Sequence, residues 1–425
     1  MQNNLKLRLT AMNFMQFAAW GAYLTSMGGY LFTSGNPDII GWFYSIQGIV
    51  SIFMPALIGI IADRWINAEK LLGLCHLIAG GLMIAAGLYG VQAGESMDKW
   101  TLFTLYSFSV AFYMPTLALS NSVAFTALTR AGFDTVKAFP PIRVFGTVGF
   151  ICTMLAVDFA GYQHTAMQFV VSGAISVLLG LYAPTLPTCP TNEGEAKSFV
   201  DALGLKAFTL FKDYRMALFF IFSFLLGLQL QISNGFANGF ISSFADIPEF
   251  ANTFGAQHAN ALISLSQISE TLCILLIPYF MSRFGIKRVM MIAMAAWVLR
   301  FGLFGLGNPG NGVFLFILSC IVYGVAFDFF NISGALFVDK NTNAEIRSSA
   351  QGLFMLMTNG LGATVGSLAA QAVVDRYVNT QTDALAKVAG WQTSWFIFAG
   401  YALVVLVLFT LFFREKSKDT VPMNG

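Results

Sequence analysis

Two carboxylate side chains lie near the middle of long apolar segments. Glu270 occurs in SLSQISETLCILLIP and Asp328 in YGVAFDFFNISG. An ionisable residue is costly inside a bilayer and by default indicates a functional site. A carboxyl whose surroundings differ between two conformations can bind a proton in one and release it in the other, which is the chemistry of proton coupling. The alternative is a static buried ion pair, for example with Arg300 or Arg143, that only fastens helices.

Amide, hydroxyl and aromatic side chains also lie inside apolar segments. Amides offer both hydrogen-bond donors and acceptors, and aromatic rings offer a flat face, so together they suit a neutral polar solute with a planar part. Each amide could instead join two helices, and most of the 43 phenylalanines must serve packing or face lipid. The candidates for a solute-binding lining are Asn13, Gln16, Trp20, Arg143, Thr147, Phe150, Gln231, Asn234, Gln267, Tyr323, Phe327 and Asn331.

No pattern typical of a metal centre or an ATP-driven pump is present in the sequence. The three histidines are far apart, and none of the five cysteines forms a CxxC pair. No GxxxxGK(S/T) motif occurs, so uphill transport would need an ion gradient. We therefore expect no enzyme activity, no metal and no cofactor, with a proton as the coupling ion. His76 is expected to be a core histidine with satisfied hydrogen bonds.

The composition requires that these segments lie in lipid. Hydrophobic residues make up 56% of the 425 residues and charged residues only 10%, whereas soluble chains carry about 25% charge. Disorder is excluded, since it needs low hydrophobicity and high charge. The net charge of +2 and the absence of a basic block give no indication of a nucleic-acid partner. We predict an all-α integral membrane protein that contacts the lipid bilayer.

Twelve segments are long and apolar enough to cross a membrane as helices, which need roughly 20 residues each. Strands of an outer-membrane barrel would be about half as long and would alternate in polarity. The predicted spans are Leu9–Phe32, Ile39–Ala62, Leu71–Val91, Trp100–Ala124, Val144–Tyr162, Met167–Leu186, Met216–Phe240, Ala259–Met281, Val289–Leu306, Gly312–Phe337, Ala350–Val374 and Trp391–Phe413.

The basic residues predict the orientation of these spans. Of the 23 lysines and arginines, 19 fall in one set of alternate segments, and only Lys99, Arg376 and Lys387 fall in the other. Arg300 lies within a span. Cytoplasmic loops carry the excess of Lys and Arg, so both termini are predicted to be cytoplasmic.

The longest polar gap divides the spans into two groups of six. We predict an N-terminal half at residues 1–186, a cytoplasmic linker at 187–215 and a C-terminal half at 216–425. The second part of the linker, SFVDALGLKAFTLFKD, is amphipathic and is predicted to form a helix on the membrane surface.

A faint internal repeat relates the two halves. Arg64 follows the second span and Arg283 follows the eighth, and such a repeat is typical of a rocker-type secondary transporter. The Asp63–Arg64 pair resembles the cytoplasmic gating motif of the major facilitator superfamily. The resemblance is partial, because the glycine expected after Arg64 is absent and the second copy has Ser282 in place of the acid.

Several long blocks resemble the nucleoside:proton symporter family of that superfamily. They are FPPIRVFGTVGF, QLQISNGFANGF, SLSQISETLCIL, VYGVAFDFFNISGALFVDK, AFYMPTLALSNS and QGLFMLMTNGLGA, and the resemblance runs from Leu5 to about Arg414. It implies a twelve-helix protein, usually monomeric, that imports nucleosides with protons across the bacterial inner membrane. It also implies a nucleoside site formed by Arg143, Thr147, Phe150, Gln231, Asn234, Gln267, Glu270, Tyr323, Phe327 and Asp328.

Within that site we assign Asp328 to the proton and Glu270 to the substrate with a share in coupling. Arg143 is predicted at the cytoplasmic edge of the fifth span, unless that span begins earlier, near Phe133. A disaccharide could use nearly the same groups, so a sugar:proton symporter is the alternative function. A receptor that binds without transport is a second alternative, and an integral membrane enzyme is a third, for which no metal cluster or nucleophile–base pair is found.

Overall fold

The computed structural model describes residues 2–191 and 205–414, and all regular secondary structure in these ranges is helical. The α-helices of seven residues or more are α1 (Gln2–Gly21), α2 (Met27–Thr33), α3 (Ile40–Arg64), α4 (Ala68–Ala93), α5 (Lys99–Arg130), α6 (Thr135–Phe159), α7 (Met167–Tyr182), α8 (Tyr214–Gly227), α9 (Ile232–Ser243), α10 (Ala259–Leu306), α11 (Val313–Asn341), α12 (Ala344–Met355), α13 (Ala363–Tyr377) and α14 (Ala384–Phe412).

Ten helical segments in the described ranges are long and apolar enough to cross a membrane. A helix satisfies every backbone N–H and C=O within its own segment, which lipid requires because it offers no hydrogen-bond partner. The prediction of a multi-pass, all-α membrane protein is therefore confirmed at this level.

Helix α10 is 48 residues long, about twice the length that one crossing needs. Gly285 breaks it with φ 76° and ψ 172°, a left-handed conformation that glycine adopts at no steric cost. The helix thus consists of two arms, residues 259–284 and 286–306. The break lies between the predicted eighth and ninth spans.

Three predicted spans contain interruptions that the hydrophobic pattern did not indicate. A turn at residues 22–26 separates α1 from α2, and residues 228–231 separate α8 from α9. The predicted eleventh span contains a π-helical segment, Leu356–Gly362, between α12 and α13. Non-helical backbone at membrane depth is tolerated where protein or a cavity surrounds it, and π-helical turns are frequent at functional sites.

The predicted start of the fifth span is wrong by about two turns. Helix α6 begins at Thr135 and runs through Pro140 and Pro141 without a break. Arg143 therefore lies eight residues into the helix, about 12 Å from its first residue at 1.5 Å per residue. The sequence suggested a later start because residues 133–143 contain charges and two prolines.

The chain forms two compact units. The first comprises Met1–Ile39 and Ile49–Leu203, and the second comprises Ile40–Gly48 and Gly204–Gly425. Each has its own buried core. The first combines an aliphatic cluster with the buried rings of Tyr23, Tyr106 and Phe169, and the second is rich in aromatic side chains. Core residues of the first unit are Leu9, Met12, Leu72, Leu128 and Leu179, and those of the second are Phe240, Trp297, Phe301, Phe316 and Trp395.

The first seven residues of the predicted linker helix, 198–204, lie outside the described residues. The part that is described, Leu205–Lys212, forms a 3-10 helix. Asp213 then caps α8, since its Oδ1 accepts hydrogen bonds of 2.9 Å from the backbone N–H groups of Arg215 and Met216.

Candidate functional site

Helices α1 and α6 of the first unit bring Arg143 against an aromatic group. The guanidinium carbon of Arg143 lies 3.9 Å from the centre of the Phe17 ring, a cation–π contact. The Phe17 ring lies 6.5 Å from Trp20, and Trp20 lies 6.4 Å from Phe150 in an edge-on arrangement. Thr147, half-buried, follows Arg143 by one turn of α6. The structure thus places Arg143 within helix α6, in contact with α1, and not at the start of the helix.

The Trp20 indole sits in this group with an unused donor. Its Nε1 is buried and has no hydrogen-bond partner among the described residues. A buried polar atom without a partner is costly, and a polar solute bound against these rings would relieve that cost. Trp20 therefore stays a candidate for the lining.

A fully buried hydrogen-bond network adjoins this aromatic group, since the Tyr113 ring contacts both Trp20 and His76. Gln16 Nε2 donates to Thr116 Oγ1 at 2.8 Å, and its Oε1 lies 2.7 Å from His76 Nε2. The other ring nitrogen, His76 Nδ1, lies 2.8 Å from Ser176 Oγ. Both nitrogens are satisfied, so His76 is the core histidine that the sequence predicted. Gln16 joins helices here, which is the alternative considered for each amide.

In the second unit, Gln231 and Asn234 lie at the interruption between α8 and α9. Asn234 Nδ2 donates to Gln231 Oε1 at 3.0 Å, and both side chains are half-buried. Gln231 stands one residue before α9 begins. The interruption therefore presents a paired amide group in the middle of a predicted span.

The remaining predicted residues lie where the first arm of α10 packs against α11. Ser269 Oγ donates to Ile321 O, and a Cβ at Gly324 would lie 2.5 Å from Ser269 O. Only glycine permits this approach of the two backbones. It places the turn that carries Gln267 and Glu270 directly against the turn of α11 that begins at Tyr323.

On α11, the rings of Tyr323 and Phe327 stack 5.7 Å apart with an angle of 16° between their planes. Tyr323 and Asp328 are buried, with 4% and 6% of their surfaces exposed, whereas Phe327 and Glu270 are half-buried. Both carboxylates interact electrostatically with Tyr323 and with Cys273. The structure thus brings the two predicted acids into one neighbourhood beside a flat aromatic surface.

Arg300, on the second arm of α10, is buried with 1% of its surface exposed. Its Nε donates to Ser233 Oγ at 3.0 Å, and one terminal nitrogen donates to Ser266 Oγ at 3.3 Å and to Ser319 O at 2.8 Å. Within the described residues none of its hydrogen bonds goes to a carboxylate. The alternative of an Arg300 ion pair with Glu270 or Asp328 is therefore wrong.

A sequence profile described as "Nucleoside H+ symporter" matches residues 3–418. The chain belongs to the nucleoside H+ symporter family. It is 47% identical over 417 residues to the nucleoside permease NupG of Escherichia coli K12, covering 97% of each chain. It is 46% identical over 418 residues to the xanthosine permease of the same organism, covering 97% of this chain and 96% of the permease.

The crystal structure of the nucleoside transporter NupG matches this fold with a TM-score of 0.88 at 46% identity, covering 97% of this chain and 100% of that chain. A nucleoside H+ symporter of this type is a membrane transporter with the major facilitator architecture and is not an enzyme. The family assignment therefore supports the nucleoside resemblance seen in the sequence and favours it over the disaccharide alternative.

Other predicted positions lie at the ends of helices. Asp63 and Arg64, the predicted gating pair, end helix α3, and their side chains lie outside the description. Asp158 is buried near the end of α6 and accepts a hydrogen bond of 3.1 Å from Gln163 Nε2, in keeping with a boundary residue. Among the described residues, no group of three His, Cys, Asp or Glu side chains could hold a metal ion.

Sequence analysis did not single out Phe17, Ser233, Ser266 or Ser319. No signal marks Phe17 among 43 phenylalanines, because its contact with Arg143 arises only when α1 and α6 pack. The three serines could have been suspected as partners of Arg300, since a buried guanidinium needs several acceptors.

Proposed function

We propose that Glu270 and Asp328 couple nucleoside import to proton movement. As a member of the nucleoside H+ symporter family, the protein imports nucleosides together with protons. The observation that supports this site is the grouping of both carboxylates beside the stacked Tyr323–Phe327 pair on two helices in close contact. Asp328, the more buried acid, carries the proton, and Glu270 binds substrate with a share in coupling.

The chemistry of a nucleoside matches the side chains around Arg143 in the first unit and those around Glu270 and Tyr323 in the second. The planar base lies against an aromatic face, for which Tyr323, Phe327 and Phe150 are available. Ribose hydroxyls and base edges take hydrogen bonds from amides, a hydroxyl and a guanidinium. The residues assigned to these contacts are Arg143, Thr147, Gln231, Asn234, Gln267 and Glu270.

The topology proposed for this function has twelve crossings. The ten long segments become eleven when α10 is counted as two crossings on either side of Gly285, and α1 with α2 supplies another. The distribution of basic residues supports cytoplasmic termini, a cytoplasmic linker at 187–215 between halves 1–186 and 216–425, and the Asp63–Arg64 pair as a cytoplasmic gate. We place the protein as a monomer in the bacterial inner membrane.

Transport by the purified protein in proteoliposomes tests the coupling. An inward proton gradient should drive accumulation of radiolabelled uridine, and a protonophore should reduce it to equilibration. Lactose should not accumulate under the same gradient. Accumulation driven equally well by a sodium gradient without a proton gradient would refute proton coupling, and accumulation of lactose but not of any nucleoside would favour the sugar symporter.

Reporter fusions test the topology. Alkaline phosphatase is active only outside the cytoplasm, so a fusion in the segment at residues 94–98, between α4 and α5, should be active and a fusion within 187–215 should be inactive. The opposite pattern would contradict the orientation while leaving the coupling test unaffected.

A further inference from the structure

The fully buried guanidinium of Arg300 has a partner set that is unusual for its charge. Its described hydrogen bonds go to neutral oxygens, and its charge faces the rings of Tyr323 at 4.5 Å and Phe304 at 4.9 Å. Burying a cation is costly unless several interactions compensate it. A hydrophobic side chain would avoid that cost, so the retained charge and fork geometry need a reason.

The positions of its partners indicate that reason. Ser233 immediately precedes Asn234, and Ser266 immediately precedes Gln267. Ser319 lies one turn before Tyr323, whose ring the guanidinium covers. A single planar group thus contacts α9, the first arm of α10 and α11, each next to a residue assigned to nucleoside binding.

The contact with α11 is reciprocal. While Arg300 donates to Ser319 O at 2.8 Å, Ser319 Oγ donates to the backbone O of Arg300, also at 2.8 Å. This pair fixes the second arm of α10 against α11 in one register. The guanidinium of arginine is rigid and planar with five donors, so it can hold partners on three helix segments at set distances, which a flexible ammonium cannot.

We infer that Arg300 is a positioning residue for nucleoside binding: its guanidinium holds Asn234, Gln267 and Tyr323 in register through Ser233, Ser266 and the Tyr323 ring. The inference rests on the proposed nucleoside role of these residues. It does not require that Arg300 touch the substrate.

Nucleoside affinity and thermal stability, measured on the same purified variants, test this inference. Arg300→Lys keeps the positive charge but loses the planar guanidinium and its several donors. We expect uridine to bind on the order of tenfold more weakly, the size of effect typical for hydrogen bonds that involve a charged group. Phe301→Leu is the matched control, since Phe301 is buried beside Arg300 but packs on Trp297, Trp395 and Phe398. It should lower the unfolding temperature while uridine affinity stays within about twofold.

A second pair of variants keeps the test decisive if Arg300→Lys does not fold. Ser233→Ala removes one acceptor and leaves the cation in place, so affinity should fall several-fold. Ser223→Ala is its control, because Ser223 is equally buried but donates only to Phe219 O in its own helix. Uridine affinity unchanged in Arg300→Lys, or equal in Ser233→Ala and Ser223→Ala, would overturn the inference. Failure of the wild-type protein to bind uridine would instead count against the proposed function.

Discussion

Asn234 Nδ2 donates a 3.0 Å hydrogen bond to Gln231 Oε1 across the start of α9. The two amides therefore act as one group, in which each side chain fixes the orientation of the other. Because Gln231 lies in the interruption and Asn234 in the first turn of the helix, the bond also ties the interruption to α9.

Replacing either amide should weaken nucleoside binding. A hydrogen bond between neutral groups contributes roughly 0.5–1.5 kcal/mol, so Gln231→Ala and Asn234→Ala should each lower uridine affinity several-fold by calorimetry. The double variant should lose less than the sum, since each single change already breaks the mutual bond. Asn379→Ala is the control, because Asn379 bonds Asp375 at the end of α13. Lower thermal stability with affinity intact would instead assign the pair to helix packing.

Amide substitutions at the two carboxylates should distinguish a role in nucleoside binding from a role in proton coupling. An amide imitates the protonated carboxyl, so Asp328→Asn should bind and exchange nucleoside but fail to accumulate it against a gradient. Glu270→Gln should weaken binding itself, since a charge-assisted hydrogen bond is roughly twice as strong as a neutral one. Uptake and counterflow in proteoliposomes measure both effects.

Glu249→Gln serves as the control for these variants, because Glu249 is exposed and lies outside the helices. The reverse pair of phenotypes would exchange the roles of Glu270 and Asp328. Wild-type accumulation by both amide variants would show that neither is the coupling site.

The cation–π contact in the first unit should support transport. Phe17→Leu removes the ring beneath Arg143, which lies 3.9 Å away. Such contacts contribute about 0.5–2 kcal/mol, more when desolvated, so uridine affinity should fall by a few-fold or more. Phe133→Leu removes a comparable ring beneath Lys6, 4.6 Å away, and should leave affinity unchanged. Equal effects of both changes would indicate loss of packing alone.

Gly324 should not tolerate a side chain. A Cβ there would lie 2.5 Å from Ser269 O, so Gly324→Ala must push α10 and α11 apart, and overpacking typically costs about 1–3 kcal/mol. We expect a lower unfolding temperature and weaker uridine binding, because Glu270 and Tyr323 separate. Gly302→Ala is the control, since a Cβ at Gly302 meets open space and alanine favours helix. An unfolding temperature for Gly324→Ala equal to that of Gly302→Ala would contradict the close approach.

The sequence by itself determined that the protein is helical and lies in a membrane. The free energy of transferring a segment from water into lipid depends on how many of its residues are apolar, and these can be counted along the chain. The same local reasoning identified Glu270 and Asp328, because a charge inside an apolar segment is visible without any partner. The sequence blocks that resemble the nucleoside:proton symporter family added the assignment of nucleosides as the substrate.

Only the tertiary structure decided the position of Arg143 within α6 and against Phe17, the interruptions at residues 22–26 and 228–231, and the partners of Arg300. Each depends on contacts between residues far apart in sequence: Arg143 with Phe17, and Arg300 with Ser233. Such contacts compensate a buried charge or an interrupted helix, and one helix alone gives no signal of them. Hydropathy therefore predicted where the chain meets lipid, whereas helix packing determined which polar groups face one another.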